Sequence, residues 1–266
     1  MSGVLHLTKH HGLGNDFLVL LDPVPGLDTA ALAARACDRH RGVGADGLLI
    51  GHPGLAGADI TMELRNADGG RAEMSGNGIR CFAQAVWDAG IAPAADALRV
   101  ATDAGVRVVR HIANPGPGQV LAAVDMGPVK VLEDAPAWAT GSVQAAALVD
   151  AGNPHLVLLD PEVGTVDVAV EGQRIEAMFA EGVNVEWIWP SSAGELSLRV
   201  WERGAGVTEA CGTGSCAAVA AAVSWGKAGA RAVVHNPGGD VVVDLGDTAV
   251  LTGPAVRIAA VEIPWP

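Results

Sequence analysis

The strongest constraint on this chain is that part of it occurs twice. Gly14–Asp22 (GNDFLVLLD) and Gly152–Asp160 (GNPHLVLLD) are identical at seven of nine positions, 138 residues apart. Gly42-Val43-Gly44-Ala45-Asp46 aligns with Gly182-Val183-Asn184-Val185-Glu186 at an offset of 140, and Ser75-Gly76-Asn77-Gly78 with Cys211-Gly212-Thr213-Gly214 at 136. Three matches in one order, at nearly one offset, indicate a duplicated domain. Two similar halves facing each other would place Ser75 and Cys211 on opposite sides of one cleft, each at a helix N-terminus.

The surrounding pattern is α/β of the α+β kind. Strands are expected at Val4–Thr8, Phe17–Leu21, Leu48–Ile50, Ile60–Asn66, Leu98–Ala101 and Val106–His111, from alternating or continuous apolar runs. The second half adds Val120–Met126, Ser142–Val149, Leu156–Leu159, Asn184–Trp189, Leu196–Trp201, Ala232–His235, Val241–Leu245 and Val256–Ile263. His10 to Phe17 reads as a Gly-rich turn. Asp28–Arg39, capped by Thr29, reads as a helix, as do Asn77–Ala89 and Gly214–Lys227. Asn114-Pro115-Gly116-Pro117-Gly118 is the expected linker. The domains are then 1–114, completed by the C-terminal strand 256–266, and 119–255.

Composition narrows the function. The formal charge is −13 with no basic block, which argues against a general nucleic-acid binder and suits a small zwitterionic ligand. Four cysteines stand at 37, 81, 211 and 216, with no C-x-x-C pair and no zinc-like spacing, so no metal site is expected. Cys37, Cys81 and Cys216 read as small buried filler. No signal peptide and no run of about 20 apolar residues is visible, and the cytoplasm is the expected compartment.

Chemistry concentrates in Glu202–Cys216, ERGAGVTEACGTGSC. A thiol precedes a Gly-rich helix start, where free N–H groups attract anions and are expected to lower a thiol pKa. The first copy, SGNGIRC, carries Ser75 in the thiol's place. Two groups on opposite faces of one carbon suit stereochemical inversion: one removes a proton and the other returns one. The two helix N-termini can hold an α-carboxylate. No cofactor is required.

At these residues the chain resembles the diaminopimelate epimerases, cofactor-independent two-base amino-acid epimerases. The motifs are His11-Gly12-Leu13-Gly14-Asn15-Asp16-Phe17, Arg65-Asn66-Ala67-Asp68-Gly69, Gly76-Asn77-Gly78-Ile79-Arg80-Cys81, Gly152-Asn153-Pro154-His155, Gly182-Val183-Asn184, and Glu202-Arg203-Gly204 through Ala210-Cys211-Gly212-Thr213-Gly214. The resemblance implies two pseudo-repeated domains, each a mostly antiparallel barrel-like sheet around a central helix, with the active site in the cleft between them. It implies that Cys211 is one catalytic thiol and that Ser75 occupies the position of the other. Asn15, Asn66, Asn153 and Asn184 look like substrate contacts, and Gly76-Asn77 and Gly212-Thr213 like carboxylate-binding helix starts. Glu202 and Arg203 look like groups at the reacting end, with His155 and Glu202 supporting the catalytic pair. The implied reaction takes LL- to meso-diaminopimelate in lysine and cell-wall precursor biosynthesis.

The chain departs from the family at four places: Ser75 for cysteine, Val207 for the usual Glu, Gly70 for Ser, and Gly47 for a Gln that some members carry. Ser75 reads as an introduced exchange or a natural variant that impairs inversion. Two alternatives stay open: a related racemase or one-base dehydratase of another amino acid, and a non-catalytic amino-acid-binding protein. Tryptophan near the C-terminus, at Pro264-Trp265-Pro266, would permit a homodimer.

Overall fold

The computed structural model describes residues 3–55, 57–72, 74–93, 97–135 and 143–265. They divide into two compact units, Met1–Val124 with Gly253–Pro266, and Asp125–Thr252. Asn114–Gly118 lies inside the first unit, as the loop between two antiparallel strands.

In the first unit, β1 (Gly3–Gly12) pairs antiparallel with β2 (Asn15–Leu20) across a two-residue loop. Both loop residues have positive φ, Leu13 at 56° and Gly14 at 85°, the conformation whose twist matches a hairpin. The expected Gly-rich turn therefore shrinks to Leu13-Gly14, and His10 and His11 belong to β1. The strand β2 runs parallel to β3 (Gly47–Pro53), which pairs antiparallel with β4 (Ile60–Asn66). In turn β4 meets the short β5 (Arg71–Ala72) and runs parallel to β6 (Leu98–Thr102). The chain continues through β7 (Gly105–Ala113) and β8 (Gln119–Gly127). The last strand, here called β17 (Ala249–Trp265), pairs with both β8 and β1. Eight of these nine strands, all but the short β5, thus close on themselves around a helix.

That helix is α2 (Gly76–Asp88), buried at every position from Gly76 to Val86. Only an enclosed helix hides all its faces. A shorter helix, α1 (Thr29–Ala36), covers the outside of the sheet. Its cap is Asp28, which accepts the Ala31 N–H at 3.0 Å; Thr29, expected as the cap, is the first helical residue and donates to Glu63. Trp265 is half-buried against this outer core and lies 5.4 Å from the Arg35 guanidinium, so it is packed rather than a free surface ring.

The second unit repeats the plan. Strands β9 (Lys130–Asp134), β10 (Ala145–Asp150) and β11 (Pro154–Leu159) are antiparallel neighbours. Residue 142, the expected start of β10, lies outside the described residues. Then β11 runs parallel to β12 (Asn184–Ser192), and β12 pairs antiparallel with β13 (Glu195–Glu202). Strand β13 meets the short β14 (Gly206–Thr208) and runs parallel to β15 (Arg231–Asn236), followed by β16 (Gly239–Leu245) and the start of β17. The outer helix is α3 (Val168–Glu176), capped by Asp167. The central helix is α4 (Gly212–Ser224), packed against β9 to β13, β15 and β16. The two parallel pairings fall at the same places in both units, which makes the duplication a property of the fold.

Candidate active site

In the first unit the helix start is tied down from several sides. Ser75 is the N-cap of α2, its Oγ accepting the Gly78 N–H at 3.0 Å. The fully buried Arg80 donates to the Gly76 carbonyl at 2.9 Å, to Asn77 Oδ1 at 2.7 Å and to the Pro254 carbonyl at 3.2 Å. Asn77 donates to Asn15 Oδ1 at 3.4 Å, and Asn15 donates to Asp46 Oδ2 at 2.8 Å. Behind them Asp16 meets Lys9 at 2.9 Å and Arg39 at 2.7 Å. Burial works to raise the Asp16 pKa, but the hydrogen bonds from Arg39 and Lys9 outweigh it and hold the carboxyl below its usual value. Asn66 sits exposed at the end of β4, its backbone N–H on the Gly70 carbonyl. A Cβ on Gly47 would lie 2.7 Å from the Arg65 carbonyl and 3.3 Å from the Phe17 ring, so a side chain there would need backbone movement.

In the second unit Cys211 caps α4 as Ser75 caps α2. Its Sγ accepts the Gly214 N–H at 3.4 Å and lies 3.5 Å from Thr213 Oγ1. Glu202, at the end of β13, accepts from the Thr208 hydroxyl, and its carboxylate acts electrostatically on Cys211. Burial, then the Glu202 and Glu186 carboxylates, push the Cys211 thiol well above its ordinary value, against the Thr213 and Gly214 contacts. The expected lowering by the helix terminus is therefore overturned: desolvation dominates, and the resting group is a thiol. Burial likewise raises Glu202. Burial pushes Cys37 and Cys81 up to about 12, consistent with unreactive filler.

His155 is fully buried on β11. Nδ1 lies 2.7 Å from Glu186 Oε1, and Nε2 lies 2.8 Å from Asn153 Oδ1. Asn184 donates to the Pro154 carbonyl at 2.9 Å and accepts the Arg203 backbone N–H at 2.9 Å, so it clamps β11, β12 and the Glu202-Arg203 corner together. The exposed Arg203 side chain reaches the Glu181 carbonyl at 3.2 Å; Glu202 is engaged with the Thr208 hydroxyl. The described residues thus bring Asn153, His155, Asn184, Glu202, Cys211, Gly212 and Thr213 together in one unit, and Asn15, Ser75, Gly76 and Asn77 in the other, where Asn66 lies opposite Gly47 at the end of β4.

Sheet register sets true equivalents. Phe17 pairs with Gly47 and Gly47 with Asn66, while His155 pairs with Asn184 and Val185 with Trp201. The counterpart of Asn184 is therefore Gly47, which corrects the alignment of Gly44 with Asn184. By the same register, Phe17 corresponds to His155, Leu49 to Glu186 and Asn66 to Glu202. Glu186 was not singled out as a site residue. Its signal was one acidic residue in an otherwise apolar strand, NVEWIW, two residues from Asn184 and so on the same face.

Comparison with known proteins agrees with this architecture. A hydroxyproline epimerase from Agrobacterium vitis, solved with bound trans-4-OH-L-proline, superposes with a TM-score of 0.74 at 16% identity, covering 98% of this chain and 92% of that one. A phenazine biosynthesis protein of the PhzF family from Bacillus anthracis gives 0.75 at 15% identity, covering 98% and 99%. At these identities the likeness is one of fold: the duplicated barrel-and-helix class of epimerases and PhzF-like proteins. Sequence goes further. The diaminopimelate epimerase family profile matches residues 7–132 and 147–258. A diaminopimelate epimerase from Pelotomaculum thermopropionicum is 39% identical across 98% of this chain and 99% of its own length; one from Mycobacterium ulcerans is 40% identical across 96% and 95%. The chain belongs to the diaminopimelate epimerase family, and so to the isomerases.

Proposed function

We propose that the protein epimerises LL-diaminopimelate to meso-diaminopimelate by proton exchange at the α-carbon, without a cofactor. The observation that carries the proposal is the Cys211–Glu202 pair at the buried start of α4. When Cys211 gives a proton, its S–H bond breaks as the α-carbon C–H bond forms. The resting thiol is already in the working state, and the Gly214 N–H and Thr213 hydroxyl offer hydrogen bonds to the thiolate left behind. When Cys211 is to take a proton, the thiol must first lose its own, and the Glu202 carboxylate, whose charge acts on Cys211, is the acceptor in this reading. The free N–H groups of Gly212 and Thr213 suit the substrate α-carboxylate. The paired transfer falls to Ser75, whose hydroxyl is a far weaker acid than a thiol; slow inversion follows.

A second reading, proton removal from one face as in a one-base dehydratase or racemase, has its own support. The first unit carries Phe17, Leu49 and Asn66 where the second carries His155, Glu186 and Glu202.

The test is incubation of the protein and a Ser75→Cys variant with LL-diaminopimelate in deuterated water, following α-deuterium and stereochemistry. Inversion that rises in the variant supports epimerisation. Exchange without inversion, or an unsaturated product, supports the one-base reading. A variant that binds diaminopimelate but never exchanges its α-proton would sink the proposal and leave an amino-acid-binding protein. Among the described residues no helix is long and apolar enough to cross a membrane.

A further inference from the structure

Glu186 is the buried ionisable group that the proton transfers above leave unused. It is fully buried on β12, and Oε1 takes the His155 Nδ1–H at 2.7 Å. Oε2 is buried with no hydrogen-bond partner among the described residues. The carboxyl also lies directly on the central helix: a Cβ built on Gly214 would fall 2.6 Å from Oε1. Gly214 is the residue whose N–H holds the Cys211 sulfur. One carboxylate therefore touches both the histidine and the helix turn that positions the thiol.

The duplication supplies an internal control. At the same register the first unit holds Phe17 and Leu49, an apolar pair, with the Phe17 ring beside Gly78 as Glu186 is beside Gly214. The fold thus accommodates an apolar pair at these two positions. An ionisable pair taken fully out of water carries a desolvation penalty that its mutual attraction seldom exceeds. Stability therefore does not account for His155–Glu186, and placement of a chemical group does.

We infer that Glu186 is a positioning residue of the proton-transfer site, fixing His155 with Nδ1–H on its carboxylate and Nε2 turned to Asn153. With Nδ1 so engaged, the ring cannot flip without stranding a buried carboxylate. Asn153 is held in turn through Nε2. A neutral ring accepts there from the amide N–H, and an imidazolium donates to the amide oxygen. For its rate readout the inference rests on the epimerase reading; for its spectroscopic readout it rests on geometry alone.

The test uses Glu186→Gln, which keeps an acceptor but removes the charge, and the double variant His155→Phe with Glu186→Leu, which installs the apolar pair of the first unit. In Glu186→Gln, α-deuterium exchange with LL-diaminopimelate is expected to fall about 10- to 100-fold, the scale of one charge-assisted hydrogen bond, with KM within about twofold of the parent. Glu186→Asp should recover part of the rate. The double variant should melt at or above the parent temperature and exchange no faster than Glu186→Gln. Imidazole nitrogen NMR should show His155 Nδ1 losing its charge-assisted bond in Glu186→Gln. The pH midpoint for iodoacetamide alkylation of Cys211, read by peptide mass spectrometry, should fall, because a carboxylate that opposes thiolate formation is gone. If the parent exchanges no diaminopimelate, the epimerase reading fails alone, and the NMR and alkylation results still decide the inference. Unchanged His155 signals together with an unchanged Cys211 midpoint in Glu186→Gln would overturn it, as would a double variant that exchanges at the parent rate.

Discussion

Replacing Gly214 by alanine places one methyl group where the structure has least room for it. The new Cβ would stand 2.6 Å from Glu186 Oε1, about 0.8 Å inside ordinary contact, and 3.2 Å from Cys211 Cβ. At the equivalent Gly78, the nearest atoms would be Ser75 Cβ at 3.1 Å and Phe17 Cζ at 3.3 Å, tight but within reach of a small ring tilt. Both exchanges gain up to about 1 kcal/mol of helix propensity. Overpacking costs about 1–3 kcal/mol where the neighbour cannot move freely, so Gly78→Ala should be nearly neutral and Gly214→Ala destabilising by about 0–2 kcal/mol. For a chain of this length each kcal/mol lowers Tm by about 2–4 °C. The functional effect should be larger. A displacement of about 0.8 Å stretches the 2.7 Å His155–Glu186 contact to the limit of a hydrogen bond. Losing a charge-assisted bond worth about 1.5–3 kcal/mol slows exchange about 10- to 100-fold. Thermal melts followed by circular dichroism and α-deuterium exchange measure the two effects. If Gly214→Ala matches Gly78→Ala in both, the contact between Glu186 and the helix start does not matter as described.

Three further outcomes are expected. Alkylation of Cys211, resolved by peptide mass spectrometry, should stay slow at neutral pH and accelerate only above the ordinary thiol range, because burial and the Glu202 and Glu186 carboxylates raise its pKa; rapid alkylation at pH 7 would contradict this. Burial lowers the His10 pKa against its bond to Gln84, so the unfolded chain takes up a proton first as pH falls. Stability from this group is fully present above 6.5 and is lost as pH falls toward the depressed folded value; His10→Gln should flatten that part of a urea-midpoint profile. Asp46→Ala removes the acceptor that orients Asn15 at 2.8 Å, and should raise KM for diaminopimelate about 5- to 13-fold with a smaller change in kcat, at about 1–1.5 kcal/mol for the lost bond; an unchanged KM would separate Asn15 from substrate binding.

The fold was legible because it is written twice. Apolar runs such as Phe17–Leu21 and Leu156–Leu159 mark strands buried on both faces, and the Gly-x-Gly starts after Ser75 and Cys211, the second followed by an Ala-rich run, mark the central helices. The elements missed are those with little local signal. Strands β5 and β14 are two and three residues long, and α3 carries charged residues through its middle that blur its apolar stripe. The strand boundaries in HHGLGNDF were misplaced because a two-residue hairpin turn needs positive φ only at Leu13 and Gly14, and leucine does not advertise it. Candidate site residues at helix starts were visible from their Gly-x-Gly context. Glu186 was not, because its meaning lies in its partner across the parallel β11–β12 pairing and not in its neighbours along the chain. The thiol pKa was misjudged for the opposite reason: the helix start is local and readable, whereas the burial that overrides it is tertiary.

The duplicated halves share a cradle and differ in what surrounds it. Burying Phe17 and Leu49 contributes about 1.5–3 kcal/mol for each side chain. Burying His155 and Glu186 at the same register desolvates two ionisable groups, and the adjoining carboxyl of Glu202 adds a third. The second unit therefore gives up stability to keep acid–base groups around Cys211, and the first does not do so around Ser75. This bears on what Ser75→Cys can achieve. A thiol at position 75 still ionises orders of magnitude more readily than a hydroxyl, so exchange should rise. Yet its own unit offers Phe17, Leu49 and Asn66 where Cys211 has His155, Glu186 and Glu202. Burial, the largest influence, pushes the thiol of Cys81, on the same helix, up to about 12. The cap hydrogen bond from Gly78 is the support that the first unit itself provides to a thiolate, and the rate gained by the variant measures how far that backbone donor can stand in for an acid–base cluster.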